Sequence, residues 1–142
     1  MTNLPIEFIS DAKTLNKFEN PWEVTSGNQK AICAIPPEFG GLGGGFSPED
    51  LFMQSAINCF VGTFKVMAKL SKLNFGELEV KGKLLVDKNA EGKIIMKSIH
   101  LEILIAQVDR AEKAEIIANK ALKEGFILNS LKSQITHSLK II

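Results

Sequence analysis

A chain of 142 residues that is 45% hydrophobic and 23% charged has ordinary globular values and enough length to bury a core as one domain, 1–142. Its net charge of +1, with Arg110 the single arginine among 17 basic residues, argues against nucleic acid or an anionic membrane as partner and against phosphate recognition. No basic-flanked apolar leader and no uninterrupted apolar run near ~18 residues is seen, so neither a signal peptide nor a membrane span is expected. Cys33 and Cys59 are too few for a disulfide framework, which suits a reducing, cytoplasmic setting. Two Cys and two His, widely spread, disfavour a zinc site, and no cofactor is expected.

In chain order, Ile6-Glu7-Phe8-Ile9 is a short β-prone run. Asn20 to Thr25 and Lys30 to Ile35 read as two strands joined at Ser26-Gly27-Asn28, a hairpin signal. Pro36-Pro37 ends the second strand, because proline cannot donate to a ladder. The stretch from Phe39 to Phe46 then holds five of the 11 glycines. Its spacing is not that of a dinucleotide fingerprint, and a flexible, partly apolar rim over a pocket is expected.

A long helix is predicted from Ser47 to about Ser71–Leu73. Ser47 suits the N-cap and Pro48 the first helical position, and Asp50 sits where a capping-box partner would. Leu51, Phe52, Met53, Ala56, Ile57, Phe60 and Val61 cover nearly the whole circumference, the pattern of a buried helix. Strands follow at Glu77–Val86 and Lys93–Ala106, the latter with Ile99, Leu101, Ile103 and Ile105 on one face and Ser98, His100 and Glu102 on the other. A second helix is expected from near Asp109 with an apolar stripe of Ala111, Ala114, Ile117, Ala118, Ala121 and Leu122, ending at Gly125 as a C′ residue. Phe126 to Leu131 reads as a turn or short helical piece, and Gln134 to Ile142 as a last strand with Ile135, His137, Leu139 and Ile141 on one face. Elements grouped in this way indicate an α+β fold with mostly antiparallel sheet.

Pro36-Pro37-Glu38-Phe39-Gly40-Gly41, Ser47-Pro48-Glu49-Asp50-Leu51-Phe52, Ala56-Ile57-Asn58-Cys59-Phe60 and Asn129-Ser130-Leu131-Lys132 resemble the OsmC/Ohr family, the osmotically inducible and organic hydroperoxide resistance proteins. The resemblance covers most of the chain from about Lys30 onward. It implies an OsmC-like fold: mostly antiparallel sheets packed on a long central helix, in an intertwined homodimer. It also implies reduction of organic hydroperoxides by a cysteine thiolate, as in an oxidative stress response. Cys59 then matches the peroxidatic cysteine and Glu49 the acidic residue of the site. Two parts of the family pattern are missing. The position of the family's second, resolving cysteine reads Gly125 here, and no arginine precedes Arg110 to pair with the thiolate.

The same residues have plainer readings. Cys59 among Phe52, Ile57, Phe60 and Val61 reads as a desolvated thiol, and burial favours its neutral, inert form. Glu49 in a first turn complements the helix dipole. Ten residues along one straight helix hold Glu49 and Cys59 about 15 Å apart, so a shared site needs a bend or a second subunit. Cys33 reads as core packing, or as a substitute resolving thiol. His137 reads as a satisfied core or interface histidine. Two functions follow: a one-cysteine peroxidase served by an external thiol reductant, or a catalytically inactive family member that binds an apolar small molecule or partner.

Overall fold

The computed structural model describes residues 3–142, and the chain forms two compact units, Met1–Leu51 and Phe52–Ile142. In the first unit, β1 (Ser10–Lys13), β2 (Trp22–Ser26) and β3 (Gln29–Cys33) make an antiparallel sheet in that order. The hairpin expected at Gly27-Asn28 is present, with Ser26 opposite Gln29 and Trp22 opposite Cys33. The strand expected at Ile6–Ile9 is not. The four residues after it pair instead, Ser10 with Ser26 through to Lys13 with Glu23, although all four are exposed. The exposed edge of β2 selects this segment by backbone pairing, and side-chain propensity does not decide it.

The glycine-rich loop is pinned down, not loose. The Phe46 amide donates to the Ile32 carbonyl at 2.8 Å, the Ala34 amide to the Phe46 carbonyl at 2.9 Å, and the Gly43 amide to the Ile35 carbonyl at 3.2 Å. A side chain at Gly41 or Gly45 would strike the backbone of Ile35 or Ile32 at 2.0 and 2.7 Å, so the glycines let the loop lie directly on the end of β3. Three of the loop's glycines, Gly40, Gly43 and Gly44, have positive φ.

The next helix, α1, spans Pro48–Leu70. Its N-terminus is a reciprocal capping box: Ser47 Oγ accepts from the Asp50 amide and Asp50 Oδ2 accepts from the Ser47 amide, each at 2.9 Å. Asp performs the role usually given to Glu. The helix is not enclosed on all sides within the chain, contrary to its all-round apolar pattern. Ala56, Phe60, Phe64 and Ala68 are buried, whereas Leu51, Val66 and Leu70 are exposed. Gln54, Asn58, Gly62, Lys65 and Lys69 recur every three or four residues as a polar and small-residue row on the exposed side. By length and composition α1 is able to cross a bilayer, with mean hydropathy 1.2 over its most apolar window. In the fold, that apolarity supplies one buried row.

In the second unit, β4 (Glu77–Lys88) and β5 (Ile94–Ala106) are antiparallel, and β6 (Gln134–Ile141) joins the other side of β5 in parallel. A parallel neighbour requires a crossover, and α2 (Ala111–Glu124) provides it. The alternation read in β5 holds: Ile99, Leu101, Ile103 and Ile105 are buried, in one cluster with the α1 row and with Ala114, Ile117, Ala118 and Ala121 of α2. Small residues on α2 let it approach the sheet closely. Phe60 stacks on Phe64 at 5.9 Å between centroids, and Phe75 meets Phe64 edge-on at 5.4 Å. At Gly82 a Cβ would lie 2.5 Å from Met53 Sδ, which marks where α1 lies against β4.

α2 begins at Ala111, close to the expected Asp109. Arg110, not Asp109, is the N-cap residue, and it makes no side-chain cap. Asp109 instead accepts from the Asn74 backbone and side-chain amides at 3.3 and 3.2 Å, and the Arg110 guanidinium donates to the Lys72 carbonyl. The pair clamps the turn that follows α1, where Lys72 takes a left-handed φ of 54°.

Candidate active site

Cys59 lies midway along α1, one residue before the buried Phe60. It is half-buried and packs against the core cluster, so the thiol is only partly desolvated in the single chain. Its surroundings come from the C-terminal end of α2. A Cβ built on Gly125 would lie 2.8 Å from Cys59 Sγ, 3.2 Å from Leu128 Cδ1 and 3.3 Å from the Ala121 carbonyl oxygen. The sulfur therefore rests against the α-carbon face of Gly125. Beyond that contact the chain exposes Phe126, 87% accessible, and Ile127, before a short 3-10 turn at Leu128–Ser130.

Gly125 does not have the backbone expected of a C′ glycine. Its φ of −62° and ψ of 128° are extended, and its amide donates to the Ala121 carbonyl at 3.1 Å. The left-handed region that favours glycine is not used here. A side chain at 125 would meet the Cys59 sulfur, so the two groups would have to shift or bond. No local pattern marks this contact between residues 66 positions apart; only the family resemblance, which puts the resolving cysteine at 125, points to it.

Glu49 stands in the first turn of α1, in the first unit. Its Oε1 is shielded from solvent and has no hydrogen-bond partner among the described residues. A shielded carboxylate oxygen without a partner is costly. α1 is unbroken between Glu49 and Cys59, which lie in different units.

The other residues singled out in the sequence fall elsewhere. Cys33 is 2% exposed at the end of β3, and both cysteines are free thiols. His137 is exposed on β6, so it is not a core histidine. It lines a cleft with Asn119, Lys123 and Asn129. His100 is on the outer face of β5, where Nδ1 meets Thr136 Oγ1 at 2.7 Å. Arg110, the chain's one arginine, is committed to the Lys72 carbonyl and lies 3.8 Å from an Asp109 oxygen. Among the described residues no cluster of His, Cys, Asp and Glu could hold a metal ion.

Comparison with known proteins agrees with this architecture. An OsmC-like protein of unknown function from Vibrio cholerae superposes with a TM-score of 0.86 at 14% identity, covering 96% of this chain and 100% of that one. An organic hydroperoxide resistance protein from Elizabethkingia anophelis gives 0.72 at 21% identity, covering 99% and 98%. Identities this low speak to the fold. In sequence, an organic hydroperoxide resistance protein from Xanthomonas axonopodis pv. citri is 32% identical over 89 residues, 61% of each chain. An uncharacterized protein of Acinetobacter baylyi is 32% identical over 80 residues, 56% of each, so the chain spans little more than half the length of these relatives. Residues 41–140 match the family model for OsmC-like protein, and the chain belongs to that family.

Proposed function

We propose that this chain is a one-cysteine thiol peroxidase that reduces organic hydroperoxides, working as a single functional domain in a reducing cytoplasm. The Cys59 thiolate attacks a peroxide oxygen, the O–O bond breaks, and the alcohol leaves after taking up a proton. The sulfur is now a sulfenic acid. One external thiol attacks it, releases water and forms a mixed disulfide, and a second thiol restores Cys59. The observation that carries this reading is the half-buried Cys59 sulfur resting on Gly125, with exposed apolar Phe126 and Ile127 immediately after it. The chain's only other thiol, Cys33, is buried at the end of β3, and the scheme takes its reductant from outside.

Glu49 orients the peroxide in this scheme. Ten residues of unbroken helix correspond to about 15 Å, so the proposed site takes Glu49 from one protomer of a homodimer and Cys59 from its partner. The unpartnered Glu49 Oε1 and the exposed Leu51, Val66 and Leu70 of α1 support a dimer.

Arg110 favours the second reading, an inactive family member that binds an apolar small molecule or partner. A thiolate needs a nearby cation, and the one guanidinium is held at the Lys72 carbonyl. Limiting cumene hydroperoxide followed by dimedone separates the two. Peroxidase activity predicts dimedone on Cys59 and steady peroxide consumption with excess small thiol, with both lost in Cys59→Ser. Unlabelled Cys59 with the same slow consumption in wild type and Cys59→Ser leaves the binding reading.

A further inference from the structure

The face of the second unit formed by α2, the 3-10 turn and β6 holds a cleft of about 340 Å³ that the peroxidase scheme does not use. Its apolar floor includes Leu128, which is 5% exposed, and Ile135. Four polar side chains line it: Asn119 and Lys123 from α2, Asn129 from the 3-10 turn and His137 from β6. No carboxylate lines it. Among the described residues, none of these four side chains makes a hydrogen bond or ion pair.

Other clefts of this unit differ. The one on the outer face of the sheet mixes Glu79 and Glu102 with Lys81 and Lys140, so its charges balance. In the one beside the end of α1, the Asn74 amide is already taken by Asp109. In the α2–β6 cleft an ammonium, two amide NH₂ groups and an imidazole are all able to donate, and the imidazole keeps one N–H in either neutral tautomer.

We propose that this cleft binds a small carboxylate carrying a short apolar body. One formal positive charge matches a monoanion better than a doubly charged phosphate. A carboxylate has four lone-pair positions able to accept from these donors, and the floor takes the hydrocarbon. The volume is at the small end of ligand pockets, which suits a short chain or a single ring.

The test is titration of the full chain with hexanoate at pH 7, followed by the NMR signals of the His137 ring and the Asn119 and Asn129 side-chain amides. The expected result is one saturable set of shifts, weakened about tenfold or more in Lys123→Gln. Hexanol tests the charge, acetate the apolar body, and inorganic phosphate the choice of anion. Each should bind at least tenfold more weakly than hexanoate. Lack of saturation with hexanoate, an equal response to hexanol or phosphate, or unchanged affinity in Lys123→Gln would overturn the proposal. Cys59→Ser should bind hexanoate normally, which keeps this result independent of the peroxidase reading.

Discussion

Among single residues, position 125 is the one whose identity the local backbone leaves open. Its φ of −62° is available to any L-residue, yet a Cβ there would sit 2.8 Å from Cys59 Sγ. In a disulfide, bond lengths and angles place one Cβ about 3 Å from the opposite sulfur. Gly125→Cys is thus expected to oxidise under mild diamide, the introduced thiol forming an intrachain disulfide with Cys59. That leaves one titratable thiol, Cys33, where the reduced variant has three. If all three remain titratable after diamide, the sulfur does not face position 125. The family resemblance identifies 125 as the place of the missing cysteine. The contact adds that a sulfur attached there would already be within bonding reach.

Among the elements, α1 is where local signals were most reliable and burial least so. Ser47, Pro48 and Asp50 announce its start, and the reciprocal hydrogen bonds between Ser47 and Asp50 are formed as that triplet suggests. Removing the Ser47 hydroxyl leaves the Asp50 amide in the first turn without its side-chain partner. Ser47→Ala should therefore cost about 1 kcal/mol, within a range of roughly 0.5–2, read as a lower urea midpoint with unchanged slope. No loss of stability would mean that the cap is solvated and replaceable. The far end of α1 was less legible. The helix stops at Leu70, and the Asp109 and Arg110 bonds to Asn74 and Lys72 come from more than 30 residues away.

For the whole molecule, the open question is what covers α1. Val66 is 59% and Leu70 79% exposed in the single chain, and desolvating such side chains is worth about 1.5–3 kcal/mol each. With a second copy as the cover, the wild-type chain should sediment at twice its 15.6 kDa mass, and Val66→Lys combined with Leu70→Lys should shift it toward the monomer. A monomeric wild type at micromolar concentration would remove the two-protomer site with Glu49 and Cys59 from different chains. The lone arginine acts on the same question, because a thiolate without Arg110 needs its cation from a lysine or from a partner.

The sequence by itself determined the hairpin at Gly27-Asn28, the cap and length class of α1, the two faces of β5 and the stripe of α2. Each is encoded in residues a few positions apart, through turn chemistry, capping or a period of 2 or 3.6. It also determined the family, through residues 36–60 read together with 129–132. Only the tertiary structure decided that Ser10–Lys13 and not Ile6–Ile9 is the strand, that β6 lies parallel to β5, and that the glycine-rich loop is fastened to β3. It put the Cys59 sulfur in contact with Gly125, and it alone gathered Asn119, Lys123, Asn129 and His137 around one cleft. Those results depend on segments meeting across long loops, where pairing and steric exclusion act between residues that no local pattern connects.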